Sequence, residues 1–156
     1  MAEKKKHSDG LVAENRRARH DYDIGDTLEC GLELVGAEVK SLRAKAVSFS
    51  DAYAIVKDDQ LMLVGLKIDR WKNASTHVEI APDRTRKLLA KAGEIEELRI
   101  AIQEKGCTIV PMRIYFKGPW AKVLVGVGKG KTHGDKREDI KRREADRDMQ
   151  RALRRG

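Results

Sequence analysis

TIVPMRIYFKGPWAKVLVG, residues 108–126, is the stretch from which the fold can be read. Residues 108–116 and 121–126 are runs rich in β-branched and aromatic side chains, and the KGPW between them carries Gly118 and Pro119, residues that suit a tight turn. The stretch reads as a β-hairpin. Pro111 has no N–H to give to a ladder, so its strand lies at an edge or carries a bulge.

Working outward, residues 27–35 (TLECGLELV) alternate apolar and polar positions, with Leu28, Cys30, Leu32 and Leu34 on one face, the pattern of a half-buried strand. Residues 36–43 (GAEVKSLR) suit a short helix. Residues 51–57 and 60–66 flank Asp58-Asp59 as a second hairpin with a tight acidic turn. Residues 67–82, with Trp71, Asn73 and the polar run STH, read as a loop. In residues 83–106 the period changes: Leu88, Leu89, Ile95, Leu98 and Ile102 predict two short helices, with Asp83 as N-cap, Gly93 as the break and Gly106 as the stop. Strands, then helices, then strands again, in short connections without βαβ alternation, give a mainly β fold with flanking helices. The count fits an antiparallel barrel of the oligonucleotide-binding (OB) type, about six strands with about three short helices; periodicity alone leaves an open sheet as the alternative.

The formal net charge of +8 over 156 residues is carried entirely by the two ends. Met1 to His20 holds six basic and three acidic residues, and the chain from Lys129 onward holds eleven basic and six acidic, while the segment between them balances at sixteen of each. The expected organisation is a basic arm (1–18), an RNA-binding barrel (19–128) and a basic tail (129–156). A neutral body with cationic ends points to a polyanionic partner. A membrane surface fits poorly, because after Gly134 the tail has only Ile140, Ala145, Met149, Ala152 and Leu153 for an apolar face. No run is long and apolar enough to span a bilayer, and MAEKKKHSDG lacks the apolar segment of a signal peptide, so a cytoplasmic protein is expected. The tail has acid-before-base pairs at Glu138/Arg142 and Asp139/Arg143 but a sparse apolar stripe, so it should be disordered alone and helical on a partner.

Catalytic patterns fail on inspection. GVGKGKT, residues 126–132, approaches a phosphate-binding loop, but three residues separate Gly126 from Gly130 where four are needed, and the following HGDKREDI cannot pack as the loop's helix. Lys129 and Lys131 on flexible glycines suit RNA phosphates better. His7, His20, His77 and His133 are scattered, and Cys30 and Cys107 belong to no ligand spacing, so no metal, cofactor or disulfide is expected. Ser75 and His77 with Asp69 or Asp83 lack the surroundings of a nucleophile. An enzyme is not expected.

Four further segments are specific in combination: NRRARHDY (15–22), EVKSLR (38–43), RTRKLL (84–89), and GKGK (128–131) followed by DKR (135–137). In this order and spacing the chain resembles the SsrA-binding protein family, small protein B, the bacterial partner of transfer-messenger RNA (tmRNA). The resemblance implies an OB-type barrel that holds the transfer-RNA-like domain of that RNA and accompanies it to stalled ribosomes. It also implies a tail that meets small-subunit ribosomal RNA at the decoding centre and enters the empty messenger channel as a helix. Asn15, Glu29 and Leu88 match positions implicated in holding the RNA, and Asp135, Lys136 and Arg137 match positions that act on the ribosome. A monomer without cofactor is expected.

The residue types can be weighed against these roles. Asn15, with both donor and acceptor groups, lies among Arg16, Arg17 and Arg19 and could fix a contact that the arginines only attract. Glu29 points away from Leu28 and Cys30; a carboxylate avoids phosphate, so it would accept base or 2′-OH hydrogens or orient an arginine. Leu88 follows Thr85, Arg86 and Lys87, an apolar residue beside a basic start, and one of Leu88 and Leu89 belongs to the core. His20, Tyr22, Trp71 and Trp120 could stack on bases or pack internally. The family commonly has a ring-bearing residue just before Asp135; here that position is Gly134, and His133 is the candidate substitute. Leu153, late in the tail, agrees with the family pattern.

Overall fold

The computed structural model describes residues 10–71 and 80–131, with Glu144, Arg147, Met149, Gln150 and Arg151 of the tail. In chain order the elements are β1 (Leu11–Glu14), α1 (Arg16–Asp21), β2 (Tyr22–Leu32), α2 (Gly36–Arg43), β3 (Val47–Ser48), β4 (Tyr53–Lys57), β5 (Gln60–Val64), β6 (Lys67–Ile68), β7 (Arg86–Leu89), α3 (Ala92–Gln103), β8 (Thr108–Lys117) and β9 (Trp120–Gly130). Six strands pair antiparallel in the ring β8-β4-β5-β7-β2-β9, closed by β9 on β8, while β1 adds to β8 and β3 pairs with β6 apart from the ring. This is the expected six-stranded barrel with three short helices in residues 10–131. Of the tail, Lys129 and Gly130 end β9, and the five described residues beyond Lys131 are helical and exposed. The rest of the tail, and with it the expectation that it is unfolded without a partner, lies outside the described residues.

Alternation along the long strands fills the barrel. Cys30, Val123 and Ile114 are paired neighbours across β2, β9 and β8, and all point inward with Leu32, Leu61, Leu63, Leu88, Ile109 and Val125. Leu42 of α2 and Leu98 of α3 pack against this core. Burial pushes the Cys30 thiol up to about 12, which keeps it protonated and inert.

Both turns follow from their residues. Asp58 and Asp59 adopt φ of 52° and 59°, the left-handed pair of a type I′ turn, which matches strand twist and which Asp tolerates better than most residues. Asp59→Gly removes the Cβ conflict and is expected to stabilise the fold by about 0.5–1 kcal/mol in urea denaturation, the size of comparable backbone effects. Gly118, at φ 58°, precedes the ring-fixed Pro119 in the β8–β9 turn, the combination of a type II′ turn.

Pro111 sits at a bulge between Pro111 and Arg113, inside a strand with neighbours on both sides, so of the two expectations the bulge is found and the edge is not. Asn15 occupies this bulge: its N–H donates to the Met112 carbonyl at 2.8 Å and its Nδ2 to the Pro111 carbonyl at 2.9 Å.

Three readings are corrected. Residues 86–89 form strand β7, and a single helix, α3, runs from Ala92 through Gly93, so Asp83 caps nothing and Gly93 breaks nothing. RKLL is too short for its period to be read alone; pairing of Leu88 with both Leu61 and Leu32 makes it a strand. The α3 start is marked by Glu94, which accepts the Lys91 N–H at 2.9 Å. Residues 67–68 of the presumed loop form β6 against β3, and residues 11–14 of the presumed arm form β1, supplied with a partner only by β8.

Candidate nucleic-acid interface

Strand register places a set of polar and cationic side chains on the outer face of the barrel. Leu11, Tyr115, Lys122, Gly31 and Leu89 lie in one row across β1, β8, β9, β2 and β7, and Arg113, Leu124 and Glu29 in the next. Paired residues point to the same side of a sheet, so these share one surface. Helix α1 covers one part of it: Ala18 is buried against Val110 and Met112, with Tyr22, Ile24 and Leu124 packed around them. Arg16, Arg17 and Arg19 are thereby turned outward and exposed beside the open part of the face, where Arg113 and Lys117 are also exposed.

Glu29 is not a free carboxylate on this surface. It accepts a hydrogen bond from the Tyr115 hydroxyl and another from Lys117 Nζ at 3.0 Å. The Tyr115 bond first, then Lys117, holds the Glu29 carboxyl below the usual carboxylate range against the opposing effect of partial burial. Burial and the bond to Glu29 push the Tyr115 phenol up, so it remains a donor. Glu29 thus holds a cation, but that cation is Lys117 and not the arginine expected for it.

Other expected contacts fall differently. Asn15 is committed through Nδ2 to the β8 bulge, so it fixes the start of α1 and its arginines. His20 Nδ1 lies 3.0 Å from Asp21 Oδ1. Thr85 is exposed and Lys87 half-buried, but Arg86 is fully buried and donates to the carbonyls of Leu66 at 2.6 Å, Pro82 at 2.8 Å and Arg84 at 3.1 Å, and to Glu38, so its guanidinium is committed inside the fold. Leu88 is core at 1% exposure, while Leu89 is 50% exposed over Gly31, on the same face as Glu29. The exposed apolar side chain on this face is therefore Leu89 and not Leu88. Strand alternation would have found it, had residues 86–89 been read with a period of two.

The glycines of residues 126–130 are strand residues. A Cβ at Gly126 would lie 2.8 Å from Ile24 Cγ2, and one at Gly128 would lie 2.7 Å from the Asp23 carbonyl oxygen, so close packing of β9 on β2 requires both. Lys129 is exposed on β9. Lys131, expected to act in the tail, instead closes the last turn of α1: its N–H donates to the Asp21 carbonyl at 2.8 Å and Nζ to the Arg19 carbonyl at 2.9 Å. A cation is favoured at a helix C-terminus. His133, Asp135, Lys136, Arg137 and Leu153 lie outside the described residues. Among the described residues, no group of three or more His, Cys, Asp or Glu side chains is placed to hold a metal ion, and no helix is long and apolar enough to cross a membrane.

The same chain pattern recurs in known proteins. A family model described as SmpB protein matches residues 12–155. The SsrA-binding protein of Anaeromyxobacter dehalogenans (strain 2CP-C) is 50% identical over 146 residues, which cover 94% of this chain and 89% of the relative. That of Chloroflexus aurantiacus is 48% identical over 154 residues, covering 99% and 96%. Among solved structures, a chain of "tmRNA-SmpB: a journey to the center of the bacterial ribosome" aligns with a TM-score of 0.65 at 42% identity, covering 82% of this chain and 93% of that one. With the closed barrel, the outward arginines of α1 and a family match over nearly its whole length, the chain belongs to the SmpB protein family.

Proposed function

We propose that the protein is a cytoplasmic RNA-binding adaptor without catalytic chemistry. It holds the transfer-RNA-like domain of tmRNA on the outer face of β7, β2, β9 and β8 and delivers it to stalled bacterial ribosomes for trans-translation. The observation that carries the reading is the juxtaposition of the α1 arginines with the Glu29–Tyr115–Lys117 cluster on one surface. Arginines supply sequence-independent attraction to phosphate, and a lysine pinned by a carboxylate supplies a cation in a fixed place. The tail, including Lys129, His133, Asp135, Lys136, Arg137 and Leu153, then acts in the decoding centre and the empty messenger channel, the protein working as a monomer.

Competition at matched salt between the transfer-RNA-like domain and bulk RNA tests this function. The adaptor prefers the former strongly, whereas a general single-strand binder discriminates little and follows charge alone. Glu29→Ala gives a sharper test, because its two explanations predict opposite signs. On charge alone, removing a carboxylate tightens binding to a polyanion. Loss of a charge-assisted bond that holds Lys117 is expected to weaken it, about tenfold or more for a bond worth ~1.5–3 kcal/mol. Tighter binding by the variant in a titration of the transfer-RNA-like domain would show that Glu29 positions nothing.

A further inference from the structure

Trp120 is 69% exposed at the tip of the β8–β9 hairpin. An indole in water is costly to maintain, and among the described residues the cation–ring contact, Arg43 over Phe116 at 4.2 Å, lies elsewhere. Its placement is firm. Trp120 pairs with Lys117 in the last rung of a ladder that runs unbroken from Arg113, and the Gly118-Pro119 turn closing it has little freedom left to lose. The pairing also sets its direction, on the same outer face as Lys117, Tyr115 and Lys122. Lys117 Nζ, on the residue paired with Trp120, is held by Glu29 at 2.9 Å.

We infer that Trp120 is a stacking platform for one unpaired nucleobase of the bound RNA, with Lys117 and Lys122 receiving the adjoining phosphates. A flat apolar ring on the same face as two cations, one of them pinned by Glu29, matches what a single nucleotide presents, a π-face and an anion joined by a short sugar. A protein partner would supply the apolar group without the regularly spaced charge. The inference rests on the proposed RNA-binding face and adds to it a specific subsite, in which a base splayed from its helix is recognised where a paired base is not.

The test uses the full chain and a transcript of the transfer-RNA-like domain. Trp120→Ala is expected to weaken binding about 5- to 100-fold, the range for loss of one base–aromatic stack, and Trp120→Phe by much less. Stacking releases no counterions, so the salt slope of Trp120→Ala stays that of the parent, whereas Lys122→Met lowers it. In a Trp71→Phe background Trp120 is the sole tryptophan, and its emission is expected to be quenched when the RNA binds. Parental affinity in Trp120→Ala, or unchanged emission, overturns the platform; if Glu29→Ala and Lys122→Met still weaken binding, the surrounding interface stands. If none of these variants binds more weakly, the RNA-binding face itself is wrong. Loss of ribosome association with affinity for the transfer-RNA-like domain intact would place the indole against the ribosome instead and overturn the inference.

Discussion

Glu38→Ala is expected to lower the stability of the fold by about 3–5 kcal/mol, the usual result of removing one partner from a buried ion pair. Glu38, at the start of α2, accepts from Arg86 Nε at 2.8 Å, Arg84 Nε at 3.0 Å and the Val35 N–H at 3.1 Å. Arg86 has no exposed surface, so the substitution leaves its guanidinium facing three carbonyls without the carboxylate bonded to it. For a domain whose total stability is on the order of 5–15 kcal/mol, that is a large share. Urea denaturation measures it, and a loss below about 1 kcal/mol would mean that water replaces the carboxylate. Glu38→Leu with Arg86→Met should recover much of the loss, since apolar groups of similar volume often replace a buried pair without penalty.

The pH dependence follows in sign. Burial raises the Glu38 carboxyl, but the bonds from Arg84, Val35 and Arg86 outweigh it and hold the folded value below the ordinary one. A carboxyl lowered on folding contributes fully above its unfolded value, about 4.3, and its contribution fades as pH falls below that through the folded value. Glu38→Gln therefore flattens the acid limb of the stability profile while leaving the profile between pH 6 and 8 parallel to the parent. The cluster also bears on function, because it anchors the start of β7, the strand that presents Lys87 and Leu89.

Truncation has the second large effect, and its outcome depends on where the chain is cut. Removing residues 132–156 is expected to leave affinity for the transfer-RNA-like domain within about threefold, since the body and α1 are untouched and only general electrostatic attraction is lost. Tagging of chains stalled on a message without a stop codon should be abolished. Cutting before Lys129 behaves differently. It deletes the pairs of Lys129 with Asp23 and Gly130 with Tyr22, and the two bonds of Lys131 to the end of α1. At ~0.5–1.5 kcal/mol for each hydrogen bond, the placement of Arg16, Arg17 and Arg19 weakens and RNA affinity should fall about tenfold or more. Equal RNA affinity for the two truncations would show that α1 needs no anchor. Intact tagging after either would remove the tail from the mechanism.

Much of the architecture was legible because it is local. The hairpin at residues 108–126, the Asp58-Asp59 turn, the helix at residues 36–43 and the bulge signalled by Pro111 each depend on a few neighbouring residues whose backbone preferences or period agree with the fold. Asn15 and Glu29 were singled out through the family resemblance, and their partners stayed hidden, since Pro111 and Tyr115 lie 96 and 86 positions away. Which of Leu88 and Leu89 is core, and where Arg86 points, stayed open because a four-residue segment with two basic and two apolar side chains can be drawn on a helix or a strand.

By itself, then, the sequence determined which segments are strands where the period is long enough, how they turn, and that cationic ends flank a neutral barrel. Tertiary structure alone decided that residues 11–14 become a strand on β8, that Arg86 is buried and Leu89 exposed, and that Lys131 closes α1 rather than opening the tail. The division has one cause. A residue's own preference and its near neighbours act through short stretches of backbone, whereas ladder pairing and burial depend on groups brought together only when the barrel closes.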